Sequence, residues 1–207
     1  MARATMPCLR QIFVSVAGHA GDSLERTLYL WRKSIERYAL ENQIPLDSFS
    51  IPSFSARPIT YKGMLDGPAL HRFYHDLSDP LCMSALAVIH QRYSTNTFPS
   101  WPLAQPFRYI AHNGEINTLR GNINKMRARE ATLASPLFGD DLKKLFPVIM
   151  PGGSDSAMFD NVLELLVACG RSLEHALMIM IPEAFGPAYH ISTDKRAFYE
   201  YHAAIME

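Results

Sequence analysis

Three short segments of the sequence combine residue types that can bind and activate a small polar substrate. The first, HQRYSTNT at 90–97, stands at the end of an apolar run at 84–90 and contains Arg92, Thr95 and Asn96. A guanidinium group pairs with both oxygens of a carboxylate, and neighbouring hydroxyl and amide groups add hydrogen bonds. This segment predicts a carboxylate site, and a surface loop with an ordinary arginine is the equally weighted alternative.

The second segment is Asn113-Gly114, which follows a β-rich run at 108–112. An amide side chain and a backbone N–H directed at one point form an oxyanion hole, and glycine lets the backbone approach a ligand closely. An Asn-Gly pair alone is more often a tight turn between two strands. The oxyanion hole is therefore the functional hypothesis, and the turn is the structural alternative.

The third segment is Gly152-Gly153-Ser154-Asp155-Ser156, which lies at the start of a helical pattern. The free backbone N–H groups and the dipole of a helix start keep an aspartate ionised. Asp155 can then bind the ammonium group of a ligand. A plain N-cap formed by Ser154 or Asp155 is the structural alternative.

The sequence gives little support for a metal site. His71 and His75 have the spacing of two zinc ligands on a helix, but no HExxH motif and no nearby third ligand accompany them. The three cysteines are Cys8, Cys82 and Cys169, an odd and widely spaced set that does not indicate a disulfide framework. We therefore predict no metal and a reducing, cytoplasmic location.

The composition limits the class of protein. The chain has 207 residues, of which 48% are hydrophobic and 19% are charged, as in an ordinary globular domain. Lys plus Arg and Asp plus Glu both number 20, so the formal net charge is zero. Proteins that coat nucleic acid or anionic membranes carry a basic excess, so neither partner is expected. No apolar run approaches the ~18 residues of a membrane-spanning helix.

The hydrophobic pattern predicts intermixed strands and helices, which favours an α+β fold with an antiparallel sheet covered by helices. Strands are predicted at 10–17, 84–90 and 108–112, with two more inside 48–64. Helices are predicted at 23–41, 68–77, 115–133, 140–146, 155–168, 172–180 and 194–206.

Two long blocks of the sequence resemble one family. The segments at 90–130 (HQRYSTNTFPSWPLAQPFRYIAHNGEINTLRGNINKMRARE) and 152–183 (GGSDSAMFDNVLELLVACGRSLEHALMIMIPE) look like the class II glutamine amidotransferase domain of glutamate synthases. YKGML at 61–65, LASPLFGDDL at 133–142 and KRAFYEYHA at 195–203 agree. The last two blocks favour glutamate synthases over amidotransferases that serve purine or amino-sugar synthesis.

The resemblance implies a fold and an activity. The family fold is the N-terminal-nucleophile hydrolase sandwich, with two antiparallel sheets between helical layers in the order αββα. Residues 1–207 are then one partial domain, incomplete at both ends. The family removes ammonia from glutamine with an amino-terminal cysteine, whose own α-amino group acts as the base.

The resemblance also implies the role of each polar segment. Arg92, helped by Thr95 and Asn96, would bind the α-carboxylate of glutamine. Asp155 would bind the α-amino group.

The Asn113 side chain and the Gly114 backbone N–H would form the oxyanion hole. The nucleophile departs from the family pattern. The cysteine should lie well before residue 10, whereas the chain begins Met1-Ala2-Arg3 and Cys8 does not match its place. We therefore expect an internal fragment without the nucleophile, with no glutaminase activity of its own.

The resemblance further implies partners and cofactors. No cofactor is expected in this fragment, and L-glutamine is its expected ligand. The longer protein would carry FMN and a [3Fe–4S] cluster and make glutamate from glutamine and 2-oxoglutarate. Its remaining domains, and in some forms a small subunit, would be partners. The alternative is a stand-alone, non-catalytic module that binds glutamine or another protein.

Overall fold

The computed structural model describes residues 3–93 and 98–206. Its α-helices are α1 (Gly21–Glu41), α2 (Leu70–Phe73), α3 (Leu119–Glu130), α4 (Asp155–Ala168), α5 (Leu173–Met180) and α6 (Thr193–Met206). Shorter 3₁₀ helices span Gly67–Ala69, His75–Ser78 and Gly139–Leu145. Within the described residues, no helix combines the length and the hydropathy that crossing a bilayer requires.

The helix predictions are confirmed where the apolar period is long. The helices predicted at 23–41, 155–168, 172–180 and 194–206 match α1, α4, α5 and α6 within two residues at each end. The region predicted at 68–77 is instead α2 flanked by two 3₁₀ turns, and 140–146 is 3₁₀ helix. Short segments such as these form too few helical hydrogen bonds to favour a regular α-helix by themselves.

The start of α4 shows how the sequence sets a helix boundary. Ser154 is the N-cap, and its hydroxyl oxygen accepts a hydrogen bond from the Ala157 N–H at 3.1 Å. This bond satisfies one of the backbone donors that a helix start leaves unpaired. Asp155 is thus the first helical residue and not the cap.

The hydrophobic core lies where α1, α3, α4 and the 139–145 turn meet. Aromatic and aliphatic side chains from these elements and from the segment before α4 form one cluster. Its buried members are Tyr29, Met126, Phe138, Leu142, Leu145, Val148, Ile149, Val162 and Leu165. Helix α5 packs against α4, and α6 packs against α5. The core thus fixes α4, whose first turn lies beside the functional cleft described below.

Helix α1 turns an unexpected face inward. Apolar residues recur at helical spacing along this helix, at Leu24, Leu28, Trp31, Ile35 and Tyr38. Leu28 is buried, but Trp31, Ile35 and Tyr38 are exposed. The charged residues Arg32 and Lys33 are buried in their place. A charged side chain tolerates such a position only when it is paired, and the partners come from α1 itself and from distant parts of the chain.

The buried charges of α1 form a connected set of ion pairs. Arg32 donates from Nη1 to Glu36 Oε1 at 2.6 Å and from Nη2 to Glu164 of α4. Arg108 also pairs with Glu36, with 3.0 Å between Nη2 and Oε1. Lys33 Nζ donates to the backbone carbonyl groups of residues 147 and 148, at 2.6 and 3.1 Å. These ion pairs connect α1, α4 and the segment that carries Arg108.

The predicted αββα sandwich is wrong for this structure, because residues 3–93 and 98–206 contain no β-strand and no sheet. The segments predicted as strands at 10–17 and 84–90 are non-helical and lie on the surface. Phe13 is 90% exposed and Ile89 is 82% exposed. A β-rich segment becomes a strand only when another strand satisfies its backbone, and neither segment has such a neighbour here.

The segment at 108–112 is not a strand for a more specific reason. Side chains take its backbone N–H groups. Asp160 of α4 accepts the N–H groups of Arg108 at 3.2 Å, Tyr109 at 2.8 Å and Ile110 at 3.2 Å. Gln105 accepts that of His112. The predicted strands within 48–64 also fail to form, and two prolines there remove the backbone donors that a ladder needs.

Candidate functional site

A small polar cleft of about 60 Å³ lies between the turn at 112–115 and the start of α4. Charged, amide, imidazole and hydroxyl groups surround it. The lining residues are Arg92, Tyr93, Gln105, His112, Asn113, Gly114, Glu115 and Ser156. The cleft therefore joins the three polar segments, which are separated by about 20 and 40 residues in the sequence.

The structure brings most of the predicted site residues together. Arg92, Asn113 and Gly114 all line the cleft and are exposed to solvent. Asp155 is half-buried and adjoins the lining residue Ser156 in sequence. The predictions for Thr95 and Asn96 fall on residues outside the described part of the chain.

The turn that carries Asn113 is held by a buried glutamine. Gln105 accepts the His112 N–H on Oε1 at 2.9 Å and donates from Nε2 to the His112 carbonyl oxygen at 3.2 Å. The Gln105 carboxamide thus pairs with both backbone groups of His112, as a residue of a neighbouring strand would. Asn113 and Gly114 then follow on a loop that is not a tight hairpin turn in this structure.

The His112 ring connects the turn to α4. Its Nδ1 accepts a hydrogen bond from the Gly114 N–H at 3.1 Å, so Nδ1 carries no proton. The proton is therefore on Nε2, which lies 2.7 Å from Ser156 Oγ and donates to it. The tautomer follows from the bonding pattern.

Ser156 continues this chain of hydrogen bonds to Asp155. The Ser156 hydroxyl donates to Asp155 Oδ1 at 3.1 Å, and the Ser156 N–H donates to the same oxygen at 2.7 Å. Ser156 is 1% exposed, so its hydroxyl is held in place by packing as well. The carboxylate is thus oriented by a neighbour, and its Oδ2 takes part in neither bond.

His90 connects the remaining two segments. Its Nε2 lies 2.9 Å from Asn113 Oδ1 and 3.1 Å from the His112 carbonyl oxygen. Its Nδ1 accepts the Arg92 N–H at 3.1 Å. One imidazole therefore contacts both the arginine segment and the asparagine segment.

A second and larger cavity of about 320 Å³ is lined in part by the loop at 151–153. Its walls are mostly apolar, but Lys62 also lines it. The Lys62 ammonium group donates to the Pro102 carbonyl oxygen at 2.8 Å and lies 4.8 Å from the centre of the Phe107 ring. Burial and the nearby Arg108 charge lower the pKa of Lys62 to about 7.

The described residues include no group of three or more His, Cys, Asp or Glu side chains that could hold a metal ion. Cys8, Cys82 and Cys169 are free thiols.

The sequence comparisons identify the family of the chain. The profile of the class-II glutamine amidotransferases matches residues 1–207. The chain therefore belongs to the class-II glutamine amidotransferase family.

Among curated proteins, similar chains are glutamate synthases. The chain is 46% identical over 209 residues to the glutamate synthase [NADPH] large chain of Bacillus subtilis, covering all of this chain and 14% of that protein. It is 47% identical over 210 residues to the ferredoxin-dependent glutamate synthase of Oryza sativa, covering all of this chain and 13% of the relative. The glutamate synthase [NADH] of Schizosaccharomyces pombe is 46% identical over 204 residues, which cover 97% of this chain and 10% of that protein.

Three residues that hold the site were not assigned roles from the sequence. Gln105 and Ser156 position the turn and the aspartate, and His90 contacts Asn113. His90 and Ser156 lie inside two of the predicted polar segments, so their place in the sequence was an available signal although no role was assigned to them. Gln105 has no such signal, because its role depends on how the chain folds back on itself.

Proposed function

We propose that this chain provides the glutamine-binding groups and an oxyanion donor of a class-II glutamine amidotransferase. The observation that carries the proposal is the cleft, which is lined by Arg92, Asn113 and Gly114 and connected through Ser156 to Asp155. Glutamine has a carboxylate, an ammonium and a carboxamide. Arg92 and Asn113 of the cleft, and Asp155 beside its lining residue Ser156, are complementary to these three groups.

The charges of the cleft suit the α-carbon end of an amino acid. Arg92 would pair with the carboxylate, with Thr95 and Asn96 adding hydrogen bonds. Asp155 would bind the ammonium with the oxygen that Ser156 leaves free. The positive end of the α4 dipole stabilises the ionised carboxylate at this position. A zwitterion is bound best where both of its charges meet an opposite charge.

The carboxamide end would face Asn113 and Gly114. When a nucleophile attacks the amide carbon, its oxygen becomes negative, and an N–H donor stabilises that charge. Hydrolysis then consumes water and glutamine and yields glutamate and ammonia. The family uses a cysteine as the nucleophile, and no role in attack is proposed for Cys8, which is exposed on the surface.

The relatives support a role that is independent of the electron donor. Their names specify NADPH, ferredoxin or NADH, yet each is 46–47% identical to this chain. A region shared by forms with different electron donors suits the step that all of them have in common, which is ammonia release from glutamine.

For the longer protein the proposal is glutamate synthesis from glutamine and 2-oxoglutarate. FMN and a [3Fe–4S] cluster would supply the electron transfer for the reductive step. No step is assigned to either group in this chain. Its contribution is the binding and polarisation of glutamine.

Calorimetric titration of the 207-residue chain with L-glutamine tests the proposal. Asp155→Asn keeps an oxygen that can accept the Ser156 bonds but removes the charge that would bind the ammonium. Loss of a charged hydrogen bond costs about 1.5–3 kcal/mol, so the dissociation constant should rise about tenfold or more. Asp194→Asn is the matched control, because Asp194 is an acidic residue in the first turn of α6.

Ligand analogues test the same contact by changing the ligand instead of the protein. N-acetylglutamine lacks the ammonium, and its affinity for the wild-type chain should be far below that of glutamine. Asp155→Asn should not weaken it further. Equal affinity of the wild-type chain for glutamine and N-acetylglutamine contradicts the proposed site, as does an equal loss of glutamine binding in both aspartate variants.

A further inference from the structure

We infer that His90 is the positioning residue that turns the Asn113 carboxamide so that its N–H₂ group is available to the substrate. The inference rests on the proposed function, because the proposed function makes Asn113 a hydrogen-bond donor to the substrate. It follows from the contacts of one imidazole with three groups of the site.

The contacts of His90 determine which ring nitrogen carries the proton. The Arg92 backbone N–H points at Nδ1 at 3.1 Å, and an N–H can only donate, so Nδ1 is the acceptor. At the other side of the ring, the His112 carbonyl oxygen lies 3.1 Å from Nε2, and a carbonyl can only accept. The neutral ring therefore has its proton on Nε2.

The tautomer of His90 then fixes the orientation of Asn113. The amide has an oxygen and a nitrogen that ordinary geometry does not distinguish, and only the hydrogen-bond partners decide between them. Because Nε2 is a donor, the atom 2.9 Å away must be the oxygen, Oδ1. The nitrogen Nδ2, with its two protons, is consequently turned away from His90.

This orientation matters because the second donor of the proposed oxyanion hole is occupied. The Gly114 N–H donates to His112 Nδ1, so it must exchange that bond before it can reach a ligand. Within the described part of the chain, no hydrogen bond occupies the Asn113 N–H₂ group, since the contact with His90 uses Oδ1. His90 thus prepares the donor that is available before substrate binds, which lowers the cost of ordering the site.

Two substitutions at His90 separate its donor from its ring shape. His90→Phe keeps a flat ring but removes both the Nε2 donor and the Nδ1 acceptor of the Arg92 N–H. His90→Gln restores an N–H donor at about the same distance from the backbone. Glutamine is the first probe ligand, and norvaline is the second, because norvaline keeps the α-carboxylate and the α-amino group but lacks the carboxamide.

We expect His90→Phe to weaken glutamine binding about three- to tenfold, the usual effect of losing one neutral hydrogen bond. Norvaline binding should fall less than glutamine binding, because norvaline does not reach Asn113 and reports only the lost Nδ1 contact with the Arg92 N–H. His90→Gln should recover most of the lost glutamine affinity. In the Asn113→Ala background, His90→Phe should weaken glutamine binding no more than it weakens norvaline binding, because the part of the effect that passes through Asn113 is then absent.

The outcomes are distinct. If the wild-type chain binds neither ligand, the proposed function is wrong, and the inference falls with it. If glutamine binds but His90→Phe weakens both ligands equally, or neither, His90 does not act through Asn113 and the inference alone is overturned. The ring ¹⁵N and ¹³C shifts of wild-type His90 give an independent test that needs no variant. A proton on Nδ1 instead of Nε2 contradicts the inference.

Discussion

The helical scaffold and the cleft use polar groups in opposite ways. In the scaffold, Arg32 is 1% exposed and pairs with two carboxylates, Glu36 and Glu164. In the cleft, Arg92 and Asn113 are exposed, and the bonds around them are mostly single hydrogen bonds between side chains and backbone. Buried charges that lose a partner cost several kcal/mol, whereas exposed groups cost little.

The difference separates stability from binding. Residues of the scaffold should change the free energy of unfolding when substituted, and residues of the cleft should change ligand affinity. Asp160 belongs to both regions, because it lies on α4 and holds the backbone of residues 108–110 that leads into the cleft. The four predictions below test this division, starting from the largest expected effect.

Arg32→Met should lower the free energy of unfolding by about 3–5 kcal/mol, the usual cost of leaving a buried charge without its partner. Glu164 would lose its bond to the Arg32 guanidinium, and Glu36 would keep only Arg108. Urea unfolding gives the measurement. Arg57→Met is the control, because the Arg57 pair with Asp22 is exposed, at 2.5 Å, and should contribute about 1 kcal/mol or less. Similar losses in both variants contradict the division.

Asp160→Asn should cost about 1–3 kcal/mol, because an amide nitrogen cannot accept one of the backbone N–H groups. Burial and the Glu164 charge raise the pKa of Asp160 from 3.8 to about 6. Between pH 3.8 and 6 the Asp160 carboxyl is therefore protonated in the folded protein and ionised in the unfolded chain. The stability that this difference contributes is fully present below pH 3.8 and is lost as the pH rises through 6.

The difference in unfolding free energy between the wild type and Asp160→Asn should therefore shrink from pH 4 to pH 6. Glutamine affinity should fall in the same variant, since the segment at 108–110 leads to Asn113. A pH-independent difference with unchanged affinity shows that Asp160 does not link the two regions.

Lys62→Met should reduce the pH dependence of the free energy of unfolding. Because the pKa of Lys62 is lowered to about 7, the unfolded chain binds more protons than the folded protein above that pH. The wild type should gain up to about 1.4 kcal/mol per pH unit from this group between pH 7 and 9. Unfolding at pH 7, 8 and 9 measures the slope, which Lys62→Met should reduce. Lys144→Met, at an exposed lysine, should leave the slope as it is.

Arg92→Lys should have the smallest effect on stability, within about 0.5 kcal/mol, because the side chain is exposed. Glutamine affinity should nevertheless fall about tenfold, since an ammonium cannot replace the two-point guanidinium contact. Arg57→Lys is the matched control and should change neither quantity. If Arg92→Lys lowers the stability but leaves glutamine affinity unchanged, Arg92 behaves as a scaffold residue and the division between the two regions is wrong.

The sequence predicted the helices better than the sheet, and the reason is physical. A helix such as α4 satisfies its backbone within itself, so its cap and apolar period are visible in one segment. A strand needs a partner that the segment does not contain. At 108–110 the partner is the Asp160 side chain, which no local pattern indicates.

The site follows the same rule. Residue type alone indicated Arg92, Asn113, Gly114 and Asp155 as candidates, and the resemblance to the amidotransferases gave each one a role. The supporting contacts of Gln105 depend on a fold-back that only the structure contains.

The sequence by itself determined the family, the positions of the long helices and the types of polar groups available for chemistry. Those properties depend on residue identity and on neighbours along the chain. Only the tertiary structure decided which charges are buried, which ring nitrogen of His90 carries the proton, and which atom of Asn113 it meets. Each of these depends on groups that are distant in sequence and become neighbours only when the chain packs.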